Sequence, residues 1–189
     1  MMRSILILLL MLMAFTAVAD NLLWQKLQHD PNMIVLMRNS ESRGNRDGSD
    51  MLAWDPSGNC KGESTLTENG KVHAKRIGET FAKHGIKPLV ISSPMCRCSE
   101  TSRIAFGEYV TDPGLRQTAG GDAREQEMFL ATTGALLGRF RGETPVVFVN
   151  HRPNIDSLTM ELINIGDLLI GTISSTGEIE VLGKIQVEP

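Results

Sequence analysis

Met33-Ile34-Val35-Leu36-Met37, followed at once by Arg38-Asn39, decides how the rest of the chain is read. Five apolar residues are too few for a helix, and polar residues bound them. An unbroken run of this length predicts a strand buried on both faces. Two further runs repeat the pattern: Leu89-Val90-Ile91 leads into Ser92-Ser93-Pro94, and Val146-Val147-Phe148-Val149 leads into Asn150-His151. Amphipathic segments lie around them. A short one covers Leu22 to Leu27 with Trp24, and Thr67 caps one reaching about Lys83, with Ala74, Ile77, Gly78 and Phe81 on one face and Gly85 at its end. Others run from about Ser99 to Phe106, from the cap Asp122 to Phe140, and from Asn154 through Ile163. Gly177 to Val187 alternates in the manner of an antiparallel strand or hairpin. Buried strands alternating with such helices predict an α/β protein, a three-layer α/β/α sandwich whose mostly parallel sheet carries helices on both faces.

In sheets of this kind ligands bind beyond the carboxyl ends of the strands. The polar residues just past the three ends are Arg38-Asn39, then Ser93 with Arg97, then His151. Three strands each deliver a cationic, amide or imidazole side chain to one edge, which predicts an anion pocket.

The composition limits the ligand. The 189 residues carry a net charge of −3, and Arg38, Arg43 and Arg46 form too local a basic cluster to displace counterions along a nucleic acid. A small anion suits them better. Arg3, the apolar stretch Ile5 to Phe15 and the small-x-small pattern Ala17-Val18-Ala19 read as a secretory signal peptide over residues 1–19. The apolar run is shorter than the ~20 residues of a spanning helix. The expectation is a single domain over residues 20–189, secreted or periplasmic, with no membrane attachment after cleavage. Export favours a disulfide among Cys60, Cys96 and Cys98. Cys60 can pair with either of the other two, closing a loop worth roughly 4 kcal/mol in the chain-entropy account. Cys98 stands as the working partner, the sequence leaves Cys96 open, and one thiol is left over. Three cysteines without a nearby histidine make a poor zinc site, and neither Cys96 nor Cys98 has the Cys-x5-Arg spacing to Arg103 of the cysteine phosphatases.

Four segments, in order, resemble the motifs of the histidine phosphatase (phosphoglycerate mutase-like) superfamily. Leu36-Met37-Arg38-Asn39-Ser40-Glu41 is similar to its Leu-x-Arg-His-x-Glu opening, and Leu66-Thr67-x-x-Gly70 to its helix start. Ser92-Ser93-Pro94-Met95-Cys96-Arg97-Cys98-Ser99-Glu100-Thr101 resembles its Ser-Ser-Pro-x-x-Arg-x-x-x-Thr segment, and Val147-Phe148-Val149-Asn150-His151 the strand that ends in its second histidine. Cys60 with Cys96-Arg97-Cys98 further resembles an exported subgroup. The resemblance implies that Arg38, Arg97 and His151 clamp a phosphoryl group, with Ser93 as a further substrate contact, and it implies no metal or organic cofactor. Arg43 and Arg46, in the loop after the first strand, are read either as substrate contacts or as solvent-exposed. It also implies a histidine nucleophile at position 39, where this chain has asparagine.

An asparagine amide cannot become a phosphoenzyme, although it can donate a hydrogen bond to phosphate. Phosphate monoester hydrolysis needs accelerations of up to ~10²¹, so a clamp without its nucleophile implies an impaired enzyme. The alternative is a module that binds or senses a phosphorylated ligand without turnover. Water oriented by His151 is the residual route. His29, His73 and His84 are expected at the solvated surface, as are the carboxylates Glu63, Glu125 and Glu127, any of which would otherwise be a candidate general acid. The expected partner is a small phosphorylated molecule or phosphate itself. Substrate choice is expected to lie in loops such as Gly44 to Gly62.

Overall fold

Residues 33–38 form strand β1 (Met33–Arg38), whose first five side chains are all buried. A computed structural model describes residues 20–44, 50–118 and 122–188. The expected signal peptide (residues 1–19) and Arg46 lie outside them. Helix α1 covers residues 20–29 and helix α2 Glu68–Lys83; strand β2 is Leu89–Ser92, helix α3 Cys96–Phe106 and strand β3 Val110–Thr111. After a 3-10 turn at Pro113–Leu115 come helix α4 (Ala123–Phe140), strand β4 (Val146–Asn150), helix α5 (Arg152–Thr159) and strands β5 (Asp167–Ile173) and β6 (Ile179–Gln186).

The six strands make one sheet in the order β3-β2-β4-β1-β5-β6. The first four are mutually parallel, whereas β5 runs antiparallel to β1 and β6 antiparallel to β5. Side chains alternate across a strand, so β1 supplies two cores at once. Met33, Val35 and Met37 pack with Leu23, Trp24 and Leu27 of α1 and with Ile77 and Phe81 of α2. Ile34 and Leu36 pack on the other side with Phe129 and Leu137 of α4 and Ile155 of α5. This is the three-layer sandwich expected from the sequence.

Several boundaries differ from expectation. The segment read as helix through Ile163 stops at Thr159, where Met160 turns into the left-handed region at φ 57°. The following apolar run is then free to become β5, an element the sequence reading missed. Helix α3 starts three residues early, at Cys96, because a carboxylate from a distant loop caps it. The two-residue edge strand β3 carries too short a pattern to be read.

The second motif has a local cause. Thr67 Oγ1 accepts from Gly70 N–H at 3.0 Å, capping α2, and donates to Glu41 Oε1 at 2.9 Å. Thr67 N–H also donates to the Glu41 carbonyl. That carbonyl lies where a Cβ on residue 70 would stand, so the chain after β1 can lie against α2 only if residue 70 is glycine. Gly78 permits the same close approach by the Ala105 carbonyl of α3. In an open helix a glycine-to-alanine change gains up to ~1 kcal/mol. Gly70→Ala should instead cost about 2–3 kcal/mol in a denaturant titration, because backbone must move. Gly138→Ala in α4, whose nearest contact would be an ordinary 3.7 Å to the Ser175 carbonyl, serves as the control that holds or gains stability.

Candidate active site

The parallel register places the carboxyl ends of β1, β4 and β2 side by side, with Arg38 opposite Asn150 and Ser92 opposite Val149. Each chain continues extended for one more residue: Asn39 N–H donates to the Asn150 carbonyl (3.1 Å) and Ser93 N–H to that of Val149 (3.0 Å). Asn39, Ser93 and His151 therefore leave the same edge of the sheet. Arg97 joins them from the first turn of α3.

Arg97 is fully buried. Its Nη2 donates to the Met51 carbonyl at 3.0 Å and to Gln117 Oε1 at 2.8 Å. Its Nε and Nη1, and the Nε of Arg38, are buried without a partner among the described residues. Desolvation lowers the pKa of both guanidinium groups, as does the charge of Arg152 for Arg38. His151 is buried at the start of α5, its Nε2 2.8 Å from Ser93 Oγ and its Nδ1 3.6 Å from Cys98 Sγ. Burial, then the charges of Arg97 and Arg38, hold the imidazole well below its usual pKa. It is neutral at pH 7. Burial likewise pushes the Cys98 thiol up to about 12, against the opposing pull of Arg97, a Ser93 hydrogen bond and Arg38. The arrangement is two guanidinium groups with unused N–H donors beside an uncharged base, which is suited to a tetrahedral oxyanion.

Asn39 is buried, and its Nδ2 donates to the Ser40 carbonyl at 2.8 Å. Ser40 N–H donates to Thr101 Oγ1, which donates in turn to the Arg97 carbonyl at 2.7 Å. This clip ties the turn after β1 to the helix that carries Arg97. Arg43 lies further along that turn; it is exposed, its N–H bonds the Thr65 carbonyl, and its charge acts on Glu68.

The cysteine assignment needs correction. The bond joins Cys60 to Cys96, and Cys98, the working partner, is a buried free thiol. Two residues along a helix turn the side chain by about 200°. Cys96 therefore meets the loop that carries Cys60, while Cys98 points back toward His151. Glu63 is also not the solvated carboxylate expected. It is buried, with Oε1 accepting from Asp55 N–H and Oε2 from Cys96 N–H, both at 2.7 Å. It caps α3, which has no side-chain cap of its own at Met95. Glu125 is half-buried near the start of α4 and Glu127 is exposed. His73 is another correction: it is buried, bonding the Val187 carbonyl at 3.0 Å. His84 is half-buried and stacks on Trp24, and His29 is exposed.

Several supporting residues went unread. Asn150 Oδ1 accepts from the His151 N–H (2.8 Å) and from Asn154 Nδ2 (3.0 Å), and Asn154 also bonds the Arg116 carbonyl. Arg116 lies 5.0 Å over the ring of Trp54, so the loops at 50–63 and 112–118 meet beside Arg97. A sequence signal existed only for Asn150, as the neighbour of His151. Among the described residues no three His, Cys, Asp or Glu side chains gather as a metal site.

The α/β sheet thus carries two arginines, a neutral histidine and a serine at its carboxyl edge. Residues 34–137 match the family described as the histidine phosphatase superfamily (branch 1), and the chain belongs to that superfamily. The fold is similar to that of the protein histidine phosphatase SixA solved with tungstate, at TM-score 0.59 and 15% identity over 82% of this chain and 96% of that one. It is similar also to a phosphoserine phosphatase from Entamoeba histolytica solved with 3-phosphoglyceric acid, at TM-score 0.56 and 17% identity over 82% and 98%. No curated protein sequence matches the chain.

Proposed function

We propose that this chain binds a small phosphomonoester through Arg38, Asn39, Arg97 and His151, with Ser93 and Arg43 as further contacts, and hydrolyses it poorly. It does so as a single exported domain, residues 20–189, after loss of the leader at 1–19. The observation that carries the reading is the buried Arg97 guanidinium and the buried Nε of half-buried Arg38, whose unused donors lie beside a neutral His151. Leaving such donors unbonded costs free energy, and a phosphoryl group would satisfy them together. Asn39 sets the limit on activity, since its amide cannot take up the phosphoryl group. A second reading, a phospho-ligand sensor without turnover, draws support from the bond that ties the Asn39 amide to Ser40.

Titration with inorganic phosphate and with tungstate, followed by turnover of p-nitrophenyl phosphate, tests both. The expected result is saturable, mutually competitive binding of the two anions with slow turnover that phosphate inhibits. Binding with no turnover selects the sensor, and absence of binding overturns the site.

A further inference from the structure

We propose that Ser93 is the phosphoryl acceptor in this chain, taking the part that Asn39 cannot. The inference rests on the phosphomonoester reading above and names the route by which turnover proceeds. Ser93 Oγ lies 2.8 Å from His151 Nε2, the separation of an activated nucleophile from its base. The base must accept the hydroxyl proton, so Nε2 must carry the lone pair and Nδ1 the hydrogen. Cys98 Sγ lies 3.6 Å from Nδ1 and 3.8 Å from Nε2, too evenly placed to select a tautomer, so the Ser93 hydroxyl donating to Nε2 is the contact that favours this one. Ser93 Oγ also accepts from Met95 N–H at 3.3 Å, which fixes the oxygen at the turn between β2 and α3. Backbone pairing to Val149 holds the residue beside the end of β4, and both pocket arginines exert their charge on the same imidazole. Serine, base and cationic donors thus meet at one strand edge.

In the first step the bond from Ser93 Oγ to phosphorus forms as the bond from phosphorus to the ester oxygen breaks. The hydroxyl proton passes to His151 Nε2. The electron pair of the broken bond stays on the departing alkoxide, which takes up that proton by way of solvent and leaves as the alcohol. Arg38 and Arg97 hold the equatorial oxygens. In the second step water attacks the phosphoserine, releasing phosphate, and Ser93 Oγ recovers a proton. A water molecule activated by His151 would complete the hydrolysis without any covalent intermediate, which makes the two routes separable.

The full chain is incubated with p-nitrophenyl and phenyl phosphate labelled in the phosphoryl group, with methanol as a competing acceptor, and quenched in acid. A common phosphoenzyme predicts the same ratio of methyl phosphate to inorganic phosphate from both esters. Bound label should survive acid, be lost in alkali and map to residue 93. Ser93→Ala should lose turnover by about 100-fold or more while inorganic phosphate still binds saturably through Arg38 and Arg97. A product ratio that changes with the leaving group, acid-labile label, or undiminished turnover in Ser93→Ala overturns the proposal. Phosphate binding without turnover of either ester also overturns it and leaves the binding reading intact. If the chain neither binds phosphate nor turns over, both readings fall.

Discussion

Asn39→His raises the turnover of an aryl phosphate by three orders of magnitude or more, on the order expected for restoring a missing nucleophile, while phosphate affinity changes by only a few-fold. The geometry of Asn39 explains why the substituted imidazole should be competent. Asparagine Nδ2 and histidine Nδ1 are the same number of bonds from Cα, and Asn39 Nδ2 already donates to the Ser40 carbonyl at 2.8 Å. The imidazole can make that bond through Nδ1–H, which leaves Nε2 unprotonated and free to attack. Ground-state binding rests on Arg38, Arg97 and His151, all unchanged, so the gain falls on the transition state. Rapid acid quenching should then trap an acid-labile phosphohistidine in the variant and none in the unmodified chain. Equal turnover by the two proteins would show that position 39 is not where the chemistry begins.

Arg97→Met should separate binding from stability. Two charge-assisted hydrogen bonds to a phosphoryl group are worth roughly 3 kcal/mol or more together, so inorganic phosphate affinity should fall by about 100-fold or more in calorimetry. The unliganded fold should not suffer in proportion. Arg97 is fully buried with Nε and Nη1 unpartnered among the described residues, and holding such a charge out of water costs free energy that methionine does not incur. Against this stand the bonds to Met51 and Gln117, two half-buried neutral acceptors that can be hydrated, a long contact with Met95 Sδ at 3.9 Å, and the attraction of the Glu63 carboxylate. The unfolding free energy is therefore expected to stay within about 1 kcal/mol of the unmodified value or to rise. A collapse of stability with no loss of phosphate affinity would assign Arg97 a purely structural role.

Read alone, the residues specify the layers of this fold and the polar groups that follow each parallel strand. The reason is physical: strands covered on both faces must be apolar throughout, so β1, β2 and β4 appear as unbroken runs whose ends are marked by Arg38, Ser93 and His151. The asparagine at position 39, where the resemblance implies a histidine, is equally a property of the sequence, because it is a matter of residue type. Tertiary structure decided what depends on approach between distant segments. Helical phase on α3, together with the position of the loop at 50–63, chose Cys96 over Cys98 as the partner of Cys60. Glu63 and His73 look like surface residues until a helix N-terminus and the Val187 carbonyl are brought to them. Strand β5, in the stretch left unassigned after the helix read through Ile163, is defined by its pairing with β1. The hydrogen-bond distance between Ser93 and His151, 58 residues apart, is of the same kind. Local pattern records how each segment is solvated, whereas a nucleophile and its base are made by the register of two strands.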